Sequence, residues 1–209
     1  MPRHDDSEQA APFWASLLEL EPKRQDNGDY LLASPVSQRT IWVNTVPEPL
    51  SVKNRVHLDV RLTEPPAATL IREDEHWTVM ADPEGLQFCA FGPGDEPLGV
   101  VEVCVDATDA LSIATWWAAR TGATVHADDG GWVWLDGVAG FPYPYWVFNP
   151  VPEPKTVKNR MHWDVTLLDA SVESLVAEGA RVLRRPDDEI GWTVMADPEG
   201  NEFCAFAAA

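Results

Sequence analysis

Three short stretches of this 209-residue chain carry chemically capable side chains at alternate positions. If VEVCVD is extended, Glu102, Cys104 and Asp106 share one face and Val101, Val103 and Val105 the other. In NRMHWDV, Arg160, His162 and Asp164 oppose Met161, Trp163 and Val165; near the end, Glu202, Cys204 and Phe206 oppose Phe203 and Ala205. Each apolar row suits packing under a helix, so the polar rows are expected to face one shared hollow. Carboxylates, an imidazole and a thiol gathered there suit proton transfer or the capture of a small ligand. A structural reading stands beside this: Asp164 and Arg160 are same-face neighbours, and either could pair across the sheet around a hydrogen-bonded His162.

Aromatic residues add a second signal. GWVWLDG places Trp132 and Trp134 on one face of a strand, and Trp146 and Phe148 follow on the next. Facing the hollow, these rings form a stacking wall for a flat or cationic ligand; facing a helix, they are core. PYPYWVF, ending at Phe148, reads as a rigid lip.

The elements that position these residues come in two copies. WTVMADPEG occurs at Trp77–Gly85 and again at Trp192–Gly200, and VPEPLSVKNRVHLDV from Val46 recurs as VPEPKTVKNRMHWDV from Val151. The blocks start at 46 and 77 in one copy and at 151 and 192 in the other, so the first lacks ten residues between them. A tandem duplication follows, with units at 1–95 and 96–209. In copy two the extra residues read as a helix, with Val172, Leu175 and Val176 at helical spacing, Ser171 as N-cap and Gly179 as stop. Pro65-Pro66 leaves copy one room for a turn or two. Copy one also begins almost at its first helix, FWASLLEL, with no strand legible before it. Copy two reads as strand Val100–Asp106, helix Asp109–Thr121, strands near Ala123–Ala127, Gly131–Leu135 and Tyr145–Phe148, then strand Arg160–Leu167, helix Val172–Glu178, and three more strands. DPEG supplies a hairpin turn, a structural role.

HWDV, then a helix, then ADPEGNEFCAF, with the aromatic pairs of FWASLL and TWWAARTG, resembles the glyoxalase-like members of the vicinal oxygen chelate superfamily. That superfamily also includes bleomycin-resistance proteins and extradiol dioxygenases. The resemblance implies an α+β fold of tandem glyoxalase-like domains built of βαβββ modules. A curled mixed sheet encloses a cavity, helices cover the convex face, and the first copy is truncated. It also implies a divalent metal in catalytic relatives. The corresponding ligand positions here are Glu102, His162 and Cys204, the last a departure from the usual carboxylate, with Glu202 the nearest substitute. Zinc accepts such a set, whereas a two-histidine, one-carboxylate iron site is not matched. A metal-free His162 is the competing reading. Copy one repeats the row as Arg55, His57 and Asp59, with Gln87 and Cys89 on its last strand, yet has no Glu102 of its own, which points to a structural motif.

Composition narrows the function. With 34 acidic against 15 basic residues the formal charge is −19, so nucleic acid and anionic membranes are repelled. The polar first dozen residues, the lack of a long apolar run and the odd cysteine count, three, lead to a cytoplasmic expectation. The main expectation is a protein that binds a small aromatic or cationic molecule through Trp132, Trp134, Trp146, Asp106, Arg160 and Asp164. The alternative is a metal-dependent lyase or isomerase of the glyoxalase type in which Glu202 shuttles a proton. Copy one is also expected to pack against copy two or a second chain, making a homodimer a further expectation.

Overall fold

A computed structural model describes residues 7–208. Copy one runs through helix α1 (Ser7–Leu17) and strands β1 (Glu21–Arg24), β2 (Tyr30–Ala33), β3 (Ile41–Val43), β4 (Val56–Arg61), β5 (Thr69–Glu73), β6 (Thr78–Ala81) and β7 (Gln87–Phe91). Copy two opens with β8 (Gly99–Ala107), α2 (Ala110–Thr121), β9 (Thr124–Ala127), β10 (Val133–Asp136) and β11 (Tyr145–Pro150). It closes with β12 (Trp163–Leu167), α3 (Val172–Ala177), β13 (Arg181–Arg184), β14 (Thr193–Ala196) and β15 (Glu202–Ala207). Copy two is therefore βαβββ twice over. Among the described residues, copy one has no strand before α1 and no helix between β4 and β5.

The sheets do not follow the copies. One eight-stranded sheet, ordered β5-β6-β7-β4-β8-β11-β10-β9, joins the second half of copy one to the first half of copy two. Its seam is the antiparallel pair β4–β8, with His57 opposite Cys104 and Asp59 opposite Glu102. The outer halves form separate sheets, β1-β2-β3 and β12-β15-β14-β13. Among the described residues no strand joins the two outer sheets. In copy two, β8 lies between β4 and β11; a counterpart of β8 would occupy the same place between β12 and β3.

Strand alternation sorts the side chains as the sequence pattern requires. Val56, Leu58 and Val60 of β4, Val103 and Val105 of β8, and Trp146 and Phe148 of β11 enter the hydrophobic core with Ile113, Ala114 and Trp117 of α2. One detail departs from simple alternation: the β4–β8 register slips beside Asp59, where Val60 pairs with Val100. That bulge puts Val100, rather than Val101, against the core.

The repeated ADPEG phrase is a fastener. Asp82 accepts hydrogen bonds from the amides of Glu84 and Leu86 and from Trp14 Nε1 of α1 at 2.9 Å. Asp197 accepts the amide of Asn201 at 2.8 Å and Trp117 Nε1 of α2 at 3.2 Å. Gly85 and Gly200 both have φ 87°, a left-handed turn position that glycine adopts without a Cβ clash. Each copy thus ties a helix tryptophan to a hairpin turn.

Where copy one lost its helix, the convex side is left open. A cavity of about 350 Å³ is lined there by Leu62, Leu70, Thr78, Met80 and Ala90, among others. In copy two, α3 delivers Leu175 into the core beside Met195 and Ala205, the counterparts of Met80 and Ala90. A capping box between Ser171 and Ser174 starts that helix, and Gly179 follows its end with φ 104°.

Candidate site on the eight-stranded sheet

On the eight-stranded sheet, the face turned away from the helices is built from the residues alternate to the core. Strand register sets them in rows. Val79, Cys89, Asp59, Glu102 and Tyr145 form one row. His57, Cys104, Val147, Trp134 and His126 form the next, and Asp106 stands beside Asn149 in the third. A thiol, an imidazole and two carboxylates thus stand on three neighbouring strands, with aromatic rings farther along the same face.

The floor of this face is dry and acidic. His57 is 7% exposed and Asp59 6%. His57 Nε2 lies 3.2 Å from Asp59 Oδ1 and 3.7 Å from Cys89 Sγ. Burial, then the charge of Asp59 opposite and a hydrogen bond with it, push the Glu102 carboxyl up to about 8. Glu102 is therefore held protonated at neutral pH, since an acid buried beside another acid resists ionising. The Cys89 thiol is also pushed up, first by burial and then by Asp59. Arg61 works against this for Glu102, but it is anchored to Glu96 at 2.7 Å and to the Gly92 carbonyl at 2.7 Å.

The third row is held by fixed contacts. Asp106 accepts Lys53 Nζ at 2.7 Å and Asn149 Nδ2 at 2.8 Å, and Arg55 donates to the Asp106 carbonyl at 2.9 Å. On the aromatic wall, His126 stacks on Trp134 with ring centroids 5.3 Å apart and reaches Asp136 at 3.1 Å. Trp132 is 37% exposed. Neither Trp132 nor Trp134 belongs to the core.

The equivalent triad of copy two lies in the four-stranded sheet. His162 Nε2 stands 3.4 Å from Cys204 Sγ and 3.7 Å from Asp164 Oδ1. Burial, then Asp164, push the Cys204 thiol up to about 12. This triad is open: the side chains of His162 and Asp164 are 38% and 51% exposed. β12 also begins at Trp163 rather than at the expected Arg160, because no neighbour extends the ladder to His162.

Several expected site residues are placed otherwise. Glu102 does not join His162 and Cys204; it stands opposite Asp59 in a different sheet, because β8 of copy two pairs with β4 of copy one. Trp146 is 3% exposed and packed among Phe141, Trp117 and Trp163 on the helix side, so it is core. Glu202 is held by Lys155 at 2.6 Å and by the Asn159 amide at 3.1 Å. Those bonds tie the segment before β12 to β15. Arg160 donates to the Glu48 carbonyl at 2.7 Å, just as Arg55 donates to Glu153. Sequence reasoning passed over His57, Asp59, Cys89, Tyr145 and His126 as a pocket.

The donor set suits the divalent metal that the fold family implies. Imidazole, carboxylate and thiol atoms of His57, Asp59 and Cys89 lie within 4.8 Å of one another, as do those of His162, Asp164 and Cys204. Asp59 Oδ1 is buried with no hydrogen-bond partner, an acceptor that a cation would satisfy.

Mixed sheets, the βαβββ units and the repeated copies define a tandem protein of the vicinal oxygen chelate class. The glyoxalase-like domain profile matches residues 3–91 and again 102–206, so the chain belongs to the glyoxalase-like domain family. Among solved structures, glyoxalase I from Zea mays is similar at TM-score 0.66 and 13% identity, covering 96% of this chain and 88% of its own. A putative dioxygenase from Bacillus subtilis subsp. subtilis str. 168 is similar at TM-score 0.59 and 12% identity, covering 99% and 81%. At these identities the likeness is one of fold. No curated protein matches the chain in sequence, and no helix among the described residues is long and apolar enough to cross a membrane.

Proposed function

We propose that this protein binds a small aromatic or cationic molecule on the open face of the eight-stranded sheet, between its 1–95 and 96–209 units. The Asp59–Glu102 pair carries the reading. A cation seated beside these buried acids would let Glu102 release the proton that burial and its acidic neighbours hold on it, and Trp134, Trp132 and Tyr145 offer flat surface on the same face. Asp106, pinned by Lys53 and Asn149, shapes the far end rather than contributing a free charge. Arg160 and Asp164 belong to the open half-site of copy two and serve a ligand there only if one lies across β12. Titration with a panel of aromatic cations, followed by tryptophan fluorescence, tests the reading. Quenching that weakens in Asp59→Asn and Trp134→Leu is expected; a flat response across the panel contradicts it.

A second reading, a metal-dependent lyase or isomerase, is favoured by one observation: the unpartnered Asp59 Oδ1 beside His57 and Cys89. A metal held there would polarise substrate oxygens. Glu102, rather than the ion-paired Glu202, would then be the carboxyl placed to exchange a proton.

A further inference from the structure

We propose that the groove on the helix side of β5, β6 and β7 docks a short amphipathic helix of another protein, one that presents a leucine-sized side chain with a basic residue near it. The groove lies on the opposite face of the sheet from Cys89 and Asp59, so the proposal is independent of the ligand reading.

Copy two shows what this face holds when it is covered. There α3 packs on β13, and Leu175, 4% exposed, joins the core that includes Met195 and Ala205, with Val182 against it. Register equates these last three with Met80, Ala90 and Leu70. Leu70 stands opposite Met80 as Val182 stands opposite Met195, and Ala90 opposite Thr78 as Ala205 opposite Thr193. Thr193 and Ala205 are buried, whereas Thr78 and Ala90 are half-buried and Leu70 is 54% exposed. Among the described residues no helix lies between β4 and β5. The cavity of about 350 Å³ left there is lined by Leu62, Pro65, Leu70, Met80, Ala90 and Pro93, among others. Both copies thus build the same wall, and copy one lacks the aliphatic group that seats on it. Covering such a surface is favourable. Three adjacent strands span about 10 Å, close to the width of a helix with its side chains, about 10–12 Å. β5 is the outer strand of its sheet, so a helix can approach from that edge.

Charge says which kind of helix fits. Past the bulge, Arg72 stands opposite Val79 as Arg184 stands opposite Val194, so the next residues, Glu73 and Arg185, are counterparts. Arg185 reaches Glu173 of α3 at 3.8 Å. Copy one therefore reverses the charge at the position that meets the helix. The other charged lining residue, Glu64, is also acidic, and no base lines the groove. Arg72, the neighbouring base, is held by Asp74 at 2.7 Å. A helix with the glutamate of α3 would be repelled here, which disfavours α3 of a second copy and favours lysine or arginine at that place.

The test uses the full chain with methyl-labelled methionine, followed by nuclear magnetic resonance. The probe is a cross-linked helical peptide of residues 170–180 carrying Glu173→Lys, since a free peptide of this length is barely helical. Titration should move the Met80 methyl signal, assigned with Met80→Leu, and leave that of Met195 in place. Glu73→Arg in the chain should weaken this peptide about two- to fivefold and strengthen the unsubstituted peptide by a similar factor, the scale of an exposed ion pair. Leu175→Asp in the peptide should abolish the shift. A Met80 signal that stays still overturns the docking site, and movement of Met195 instead places the peptide on copy two. Equal binding of both peptides, unchanged by Glu73→Arg, overturns the basic partner. Concentration-dependent movement of Met80 in the chain alone gives the groove to a second copy. A response to hexylammonium but not to the peptide gives it to a small cation, and either result overturns the proposed helix.

Discussion

The chain contains the segment Asn-Arg-x-His-x-Asp twice, and folding makes two different things of it. In copy one the segment becomes β4, a central strand flanked by β7 and β8, and its histidine and aspartate are closed off from water. In copy two it becomes the edge strand β12, shortened to Trp163–Leu167, with the same two side chains half open. The residues are alike; the neighbours differ. Among the described strands β4 has a neighbour on each side, whereas β12 has one on a single side. Site chemistry here is a property of pairing across the copies, not of the motif.

The same comparison extends to the helices and yields the largest expected effect. Trp117 of α2 contacts the rings of Trp116, Trp146, Trp163 and Phe203 and bonds to Asp197. Trp14 of α1 contacts Phe13 and Phe88 and bonds to Asp82. Trp117→Ala should cost about 3–5 kcal/mol in urea unfolding, and Trp14→Ala should cost less. Equal losses would show that the truncated copy is packed as fully as the complete one.

A smaller effect sharpens the comparison of the two sites. Only copy one carries a Glu102 partner, whose folded-state carboxyl is raised from 4.5 to about 8. In that window the folded chain holds a proton the unfolded chain has released. The resulting stability is complete below about pH 4.5 and is lost as the pH rises through about 8. In the presence of chelator, Glu102→Gln should therefore gain on the unmodified protein above pH 8, by on the order of 2 kcal/mol. Parallel pH profiles for the two proteins would remove the Glu102 proton from the account.

Much of the fold was legible in the residues. The duplication and the missing helix behind Pro65-Pro66 both follow from lining up the two copies, and α2, α3 and the strands of copy two fall close to their expected places. The apolar rows of β4 and β8 also follow alternation, apart from the slip beside Asp59. The partner of β8 was not legible, because alternation says which face a side chain takes but not which strand lies alongside. Grouping Glu102 with His162 and Cys204 assumed that each copy closes on itself. Trp146 could not be told from a ligand-facing ring without knowing that its strand turns that ring under α2, one residue out of phase with Tyr145 and Val147. Glu202 looked like a free carboxylate because Lys155 lies 47 positions away in sequence.

Residue-resolved amide hydrogen exchange of the intact chain tests the central claim most directly, since it needs neither ligand nor metal. Pairing of β4 with β8 predicts slow exchange through 56–61 and clearly faster exchange at Met161 and His162, whose segment lies outside the ladder. Equal protection of the two segments, or faster exchange at His57 than at His162, would contradict the cross-copy pocket.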